Sequence, residues 1–195
     1  ECHHAPAVTF TDVLQSFPAT IRYGLSATPT RADGLGAFIF AVIGPCRVRV
    51  THAELEAAGV RVTPNIIFYE TNVPARHVSE EWSGSMRDLA TNEGRNRLIC
   101  WMARNQAKEG RTVLLLVGLV EHAKFLADEL GDIARAIHGR MTKRARESAL
   151  SDIREGKASI LIGTQVADEG LDIPELDTLI LASPSRNPAR VTQRV

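Results

Sequence analysis

The sequence has few cysteines, no long hydrophobic run and few aromatic residues. Its three cysteines, Cys2, Cys46 and Cys100, are odd in number and far apart, which argues against a disulfide framework and favours a reducing, cytoplasmic setting. The longest apolar stretch, residues 35–43, is far shorter than the ~20 residues of a membrane-spanning helix. The first residues show no signal-peptide pattern. We therefore expect no membrane partner.

An excess of charge of either sign is also missing. The 23 Lys and Arg side chains match 23 Asp and Glu side chains, and residues 1–110 and 111–195 are each neutral by themselves. This excludes a polybasic tail and gives no overall electrostatic reason to expect a nucleic-acid partner. The chain also has no Gly-x-x-x-x-Gly-Lys-Ser/Thr loop, the segment that binds nucleotide phosphates in many enzymes.

The second half of the chain alternates between strand and helix patterns. Short, continuous apolar runs are typical of strands that are buried on both faces of a parallel sheet. Thr142 stands where a helix N-cap is expected, and Gly131 and Gly156 stand where helices end. The pattern predicts an α/β domain with strands at residues 113–117, 134–137, 159–162 and 178–181 and helices at residues 121–130 and 142–155.

The first hundred residues are less regular. Thr51 and Glu54 have the spacing of a capping box, which predicts a helix that ends at Gly59. The helical pattern over residues 87–108 has a candidate break near Asn92. The other predicted elements are a short helix at residues 11–17, a strand at 21–25, an apolar helix at 35–43, a strand at 61–69 and a loop at 72–85.

Four segments carry candidate chemistry. They are Glu-Cys-His-His at residues 1–4, Gly-Leu-Ser-Ala-Thr-Pro-Thr-Arg at 24–31, Gly-Thr-Gln-Val-Ala-Asp-Glu-Gly-Leu-Asp-Ile-Pro at 163–174, and Gln-Arg at 193–194. In this order and separation they resemble the superfamily-two helicases and translocases of the DExH type. The resemblance extends over nearly the whole chain.

The resemblance assigns roles to the first two segments. Motif II of that family reads Asp-Glu-x-His, so Glu1 would orient the attacking water and His3 would lie between the ATP site and motif III, here Ser26-Ala27-Thr28. Motif III couples the nucleotide state to strand movement. The Mg²⁺-binding Asp would precede Glu1, so no metal ligand is expected in this chain. From the residues alone, the cysteine and histidines at 2–4 could also form a metal site or an ordinary loop, although paired zinc-ligand spacing is missing.

The third and fourth segments match motif V and the opening of motif VI. Thr164 follows a predicted strand, where its hydroxyl and backbone N–H can bind a nucleic-acid phosphate. The resemblance places Gly170, Asp172, Gln193 and Arg194 on the ATP side of the cleft between two domains. The alternative for residues 163–174 is an acidic loop after a strand. The two later arginines of motif VI are not in this sequence.

The densest basic cluster lies between Arg140 and Arg146, where four of seven residues are basic. It follows His138-Gly139, a turn that the family uses before a helix facing a phosphate of the bound strand. Cations at the start of a helix oppose its dipole, so an external anion is a suitable partner. The resemblance therefore assigns nucleic-acid binding to Gly139, Arg144 and Arg146, and the alternative is a solvated helix face.

The resemblance implies two RecA-like domains, of which this chain holds part of the first and most of the second. We expect the end of the first at residues 1–44, a connector at 45–104, and the second domain, a parallel sheet flanked by helices, at 105–195. The predicted protein is a DNA helicase or translocase that uses ATP and Mg²⁺ and whose missing N-terminal RecA-like domain completes the site. DNA is favoured because residues 26–34 resemble the repair and restriction-translocase branch.

Three alternatives remain at this point, namely an RNA helicase, a non-catalytic α/β domain that binds nucleic acid or a partner, and an unrelated α/β enzyme whose motifs match by coincidence. Because the phosphate-binding loop is missing, we expect no ATP hydrolysis from this chain alone.

Overall fold

Four parallel strands form the sheet of the computed structural model, which describes residues 2–27, 31, 33–59, 64–71, 73, 82–164, 173 and 176–184. The chain divides into two units, one of residues 69–184 and one of residues 1–68 with 185–195. The domain limits expected from the sequence, at residues 44 and 104, stay a prediction.

The larger unit contains the sheet. Its strands are β1 (Thr112–Leu116), β2 (Ala134–Ile137), β3 (Ile160–Gly163) and β4 (Leu176–Leu181), in the order β2-β3-β1-β4. Every pair is parallel, and Leu114 of β1 is in register with Leu161 of β3 and Leu179 of β4. The helices that accompany the sheet are α4 (Trp82–Thr91), α5 (Glu93–Lys108), α6 (Val120–Leu130) and α7 (Lys143–Arg154). This confirms the predicted parallel sheet flanked by helices.

Helices cover both faces of this sheet, which explains why its strands are almost purely apolar. On one face Ala103 of α5 and Leu126 of α6 pack with Val113 and Leu115 of β1. On the other face Ile153 of α7 packs with Leu161 of β3 and its neighbours. Complete burial of each such valine, leucine or isoleucine side chain contributes about 1.5–3 kcal/mol.

Local signals set the helix ends that the sequence predicted. Thr142 caps α7, because its hydroxyl accepts a hydrogen bond from Ala145 N at 3.2 Å. Asn92 separates α4 from α5 and caps α5 by accepting from Arg95 N at 2.9 Å, which confirms the break. The loop predicted for residues 72–85 is wrong at its end, since α4 begins at Trp82.

Within the described ranges the smaller unit contains a tight turn at Cys2–His4 and three short helices. They are α1 (Val8–Ser16), α2 (Gly36–Ile43) and α3 (His52–Ala57). The capping box is present, with Glu54 N donating to the Thr51 hydroxyl at 3.3 Å and Thr51 N donating to the Glu54 carboxylate at 2.6 Å. The helix predicted at residues 11–17 exists but begins three residues earlier.

Two predicted strands do not form. Residues 21–25 and 64–69 are irregular, while 61–63 lie outside the described residues. Tyr23 and Phe68 are each 91% exposed, so the apolar alternation in these segments does not mark a buried face. The described part of the smaller unit holds no strand that could accept their backbone hydrogen bonds, and an isolated strand leaves those groups to water.

Candidate functional site

The connections that follow the strands lie at one edge of the sheet, because all four strands run parallel. Gly118 follows β1, His138 and Gly139 follow β2, Thr164 follows β3, and Ala182 follows β4. Thr164 N donates to Ile137 O at 3.3 Å and Ala182 N donates to Leu116 O at 2.9 Å, which fixes neighbouring strand ends to one another. This carboxyl edge is where ligands bind in open α/β sheets.

Two predicted nucleic-acid contacts, Gly139 and Thr164, lie at this same edge. Thr164 is 6% exposed and follows β3 directly, and Gly139 is exposed two residues after β2 ends. The pairing of Ile137 with Gly163 places the residues that follow them side by side. The structure therefore brings together two residues that are 25 positions apart in the sequence.

The other two predicted contacts, Arg144 and Arg146, lie in the first turn of α7. Arg144 is exposed and has no hydrogen bond or ion pair with any residue that the structure describes. Arg146 is half-buried, and its Nε is buried without a partner in the same part of the chain. The other two basic residues of this cluster do have partners. Arg140 Nη1 pairs with Glu121 at 3.2 Å, and Lys143 pairs with Glu147 at 3.8 Å.

These two guanidinium groups face an unfavourable helix dipole. The N-terminus of a helix carries partial positive charge, so cations there are stabilised only when an anion joins them. A phosphate placed at the start of α7 would meet unpaired backbone N–H groups of the first turn, while Arg144 and Arg146, two positions apart on the helix, would each need a separate phosphate of a bound chain. The geometry supports binding of a phosphate chain at this point.

His138 is a buried member of the same edge that the site prediction left out. It is 7% exposed, and its Nδ1 has no hydrogen-bond partner among the described residues. Burial lowers the pKa of His138, and the nearby positive charges of Lys124 and Arg140 lower it further, against an opposing effect of Glu121. The ring is therefore neutral at physiological pH. The His-Gly dipeptide was visible in the sequence, but the burial of His138 follows from packing of distant elements.

In the smaller unit the structure joins residues of the first two sequence segments. His3 Nδ1 lies 3.0 Å from Ser26 Oγ. Arg31 Nη1 donates to His3 O at 2.8 Å and its Nε donates to Asp33 Oδ1 at 3.0 Å. The Arg31 guanidinium lowers the pKa of Asp33 to about 2, helped by a hydrogen bond from Leu35 N. Sequence reasoning assigned no role to Arg31 or Asp33, although a basic and an acidic residue two positions apart were a signal for this pair.

Ala27 is exposed beside Ser26. The remaining predicted site residues fall outside the described residues and keep their roles only as predictions. These are Glu1, Thr28, Gly170, Asp172, Gln193 and Arg194.

Two other kinds of site are absent from the described ranges. No group of three or more His, Cys, Asp or Glu side chains that could hold a metal ion occurs among those residues. None of the helices described there is both long enough and apolar enough to cross a bilayer.

Among the known proteins that resemble this chain, three match it over 94–100% of its length. A protein of Sulfolobus islandicus filamentous virus (isolate Iceland/Hveragerdi) that is named as a helicase is 27% identical, over 100% of this chain and 38% of the relative. The DNA 3'-5' helicase XPB of Kineococcus radiotolerans is 26% identical over 95% of this chain and 33% of the relative. A protein of Acanthamoeba polyphaga mimivirus that is named as an ATP-dependent RNA helicase is 26% identical over 94% of this chain and 37% of the relative. The chain thus spans less than two fifths of the length of each of these relatives.

A match to a protein family is more specific than these similarities to single proteins. The helicase conserved C-terminal domain matches residues 94–195, which is more than half of the chain and includes the whole sheet. Together with the parallel sheet and its basic carboxyl edge, this match shows that the chain belongs to the helicase family defined by that conserved C-terminal domain.

Proposed function

We propose that this chain is part of an ATP-dependent DNA helicase or translocase and that its carboxyl edge binds the tracked strand. The observation that carries the proposal is the pair Arg144 and Arg146 at the start of α7, which have no partner within the described residues and lie on the edge that holds Thr164. Successive phosphates of a bound strand would supply an anion for each arginine and for the start of the helix.

Thr164 and Gly139 complete the proposed contact. The Thr164 hydroxyl can donate to a phosphate oxygen, and Gly139, which has no side chain, lets a strand come close to the backbone. Such contacts read the backbone rather than the bases, so the proposed grip is independent of sequence. A neutral chain can contain this surface because few groups take part in it.

The nucleotide side of the proposal rests on the family. ATP bound with Mg²⁺ would supply the free energy of phosphoryl transfer that drives movement along the strand. Glu1, Gly170, Asp172, Gln193 and Arg194 are proposed to face the nucleotide, and His3 to transmit its state to Ser26. The contact between His3 and Ser26 supports the link between those two segments.

The choice of DNA rests on the Ser-Ala-Thr-Pro-Thr-Arg string of residues 26–31 and agrees with the printed name of the Kineococcus relative. The mimivirus relative is named as an RNA helicase, so RNA is the second candidate. The cytoplasmic setting favoured by the cysteine content stays a prediction.

Strand binding tests this proposal directly. Fluorescein-labelled oligothymidine and oligouridine of about 20 nucleotides are titrated with the purified chain at several salt concentrations, and anisotropy is recorded. Arg144→Ala with Arg146→Ala should make the slope of log K against log salt less steep by about 1.4, since each lost phosphate contact removes about 0.7. Thr164→Val should weaken binding about threefold to tenfold through one lost hydrogen bond.

The matched control is Arg111→Ala with Lys157→Ala, which removes the same charge from connections at the opposite edge of the sheet. An equal loss of affinity in both double variants would mean that only net charge matters and would contradict the proposed site. Tighter binding of oligouridine than of oligothymidine would favour the RNA alternative. No ATP hydrolysis is expected from the chain by itself.

A further inference from the structure

A groove of about 1060 Å³ runs along α4, α5 and α6 within the larger unit. Four arginines line it, namely Arg87 of α4, Arg97 and Arg104 of α5, and Arg140 after β2. Neither the sequence motifs nor the proposed strand contact uses this groove, apart from its edge at Arg140.

The four arginines fall into two pairs. Arg104 donates to the backbone carbonyl of Glu129 at the end of α6, and Arg140 pairs with Glu121. The side chains of Arg87 and Arg97 are exposed and make no hydrogen bond or ion pair with any residue in the described ranges. Two guanidinium groups are therefore available to a ligand, on two different helices of one groove.

The floor of the groove is fixed and polar. Asn96 and His122 are 5% and 3% exposed, and their side chains meet at 2.9 Å between Oδ1 and Nε2. Asn96 Nδ2 donates to Ala90 O at 2.7 Å, which ties α4 to α5. Because α4, α5 and α6 share this buried network, Arg87 and Arg97 are held on a shaped surface rather than on independent helices.

Phe125 gives the groove an apolar wall. Its side chain is 45% exposed, whereas Leu126, the next residue on α6, is completely buried. A large aromatic side chain left half in water beside two unpaired arginines is typical of a protein-binding surface, where aromatic residues and arginine are enriched.

The charges that line the groove favour a peptide over a nucleic-acid strand. Glu93, Glu121 and Glu129 also line the groove, so a nucleic-acid strand would place phosphates against carboxylates. A peptide can avoid this conflict, because its acidic side chains can be spaced to meet only Arg87 and Arg97. Arginine binds carboxylates through two parallel hydrogen bonds, which favours such a match.

We propose that this groove binds a segment of a partner protein that presents two carboxylates to Arg87 and Arg97 and an apolar side chain to Phe125. The site is independent of the proposed strand contact.

Peptide selection followed by direct titration tests this inference. A display library of random peptides of about 12 residues is selected against the purified chain, and the most enriched peptide is synthesised with fluorescein. We expect enriched sequences to combine Asp or Glu with Leu, Ile or Phe. Affinity should fall about tenfold or more with Arg87→Ala plus Arg97→Ala, and also with Phe125→Ala. The Arg87→Lys plus Arg97→Lys variant keeps the charge and should bind with intermediate affinity.

The control Arg111→Ala plus Lys157→Ala should leave peptide affinity within about twofold. The inference is overturned if the enriched peptides lack acidic residues, or if this control weakens binding as much as the groove variants do. It is also overturned if the groove variants weaken oligothymidine binding while no acidic peptide is enriched, because the groove would then belong to the strand path. Failure of the strand contact itself is measured separately, with Arg144→Ala plus Arg146→Ala.

Discussion

His3 Nδ1 and Ser26 Oγ lie 3.0 Å apart, across 23 positions of sequence. The Arg31 guanidinium fixes the backbone at His3 by donating a hydrogen bond to His3 O. The same guanidinium is oriented by a hydrogen bond that it donates to the Asp33 carboxylate. The contact between His3 and Ser26 is thus among those that join the two segments that resemble motifs II and III. A serine hydroxyl can rotate away from its partner at little cost, so this contact suits a link that forms and breaks during a cycle.

Ser26→Ala should weaken this link in the longer helicase that we propose. Removal of one hydrogen bond of about 0.5–1.5 kcal/mol corresponds to about a threefold to tenfold effect. We expect ATP hydrolysis to change little, because no nucleotide contact is removed, while strand separation per phosphate released falls by that factor. Strand displacement and phosphate release measured on one sample give this ratio.

The matched control for that experiment is Ser16→Ala, whose hydroxyl donates to Asp12 O within α1. Its ratio should equal that of the wild type. If Ser26→Ala lowers phosphate release and strand separation in equal proportion, the contact serves hydrolysis rather than coupling.

Gly24 allows the turn at residues 2–4 to lie close to α2. A Cβ atom at this position would lie 2.8 Å from Ile43 Cγ2 and 2.9 Å from Cys2 Cβ, too close for an unchanged backbone. Gly24→Ala should therefore push the turn away and expose the half-buried Cys2 thiol. In a Cys46→Ser background, which removes the exposed cysteine, Cys2 should react about threefold or more faster with a disulfide reagent.

Gly36→Ala is the control for that measurement. A Cβ atom at residue 36 would lie 3.9 Å from the nearest atom, Arg31 N, which is an ordinary van der Waals contact. An equal rate for Gly24→Ala and wild type would mean that the turn is not held by this contact. Cys100 should react slowest in every variant, since burial raises the pKa of its thiol and shields it.

The sheet could be predicted from the sequence because its signals are local. Each strand is a short apolar run covered on both faces, and the residues that stop and start the neighbouring helices, such as Gly131 and Thr142, act through their own backbone or side chain. Residues 21–25 and 64–69 have similar apolar content but form no strand. A strand requires a partner strand, and the sequence of one segment does not indicate whether a partner exists.

The site was predictable only in part for the same reason. The motifs named Thr164, Arg144 and Arg146, because residue type and order carry that information. They did not indicate that Arg140 is held by Glu121 while Arg144 remains without a partner among the described residues. Pairing between distant side chains depends on how α6 and α7 pack on the sheet, which has no local signature.

Thr142→Ala should destabilise the larger unit by about 1 kcal/mol, because the hydroxyl that accepts from Ala145 N is lost. Both tryptophans of the chain, Trp82 and Trp101, lie in this unit, so urea unfolding followed by tryptophan fluorescence reports on it. Thr142→Ser keeps the hydroxyl and should retain most of the stability. Equal destabilisation by both substitutions would assign the effect to the lost methyl group instead.

His122 makes the stability of the larger unit depend on pH. Burial, and secondarily the positive charge of Arg95, lowers its pKa to about 4. In the unfolded chain the pKa is about 6.5, so between these values the unfolded state binds a proton that the folded state does not. The contribution of neutral His122 is therefore complete above about pH 6.5 and is lost as the pH falls towards 4.

His122→Gln isolates this effect, because glutamine can donate to Asn96 Oδ1 in place of Nε2 but does not take up a proton in this range. We expect the wild type to lose about 2 kcal/mol of unfolding free energy between about pH 7.5 and pH 5 that the variant does not lose. The unfolding free energies of both proteins are measured by urea titration with tryptophan fluorescence. Other titrating groups contribute equally to both proteins, so the difference between the two free energies reports the titration of His122. A difference that stays constant over this range would show that His122 takes up its proton as readily in the folded chain as in the unfolded one.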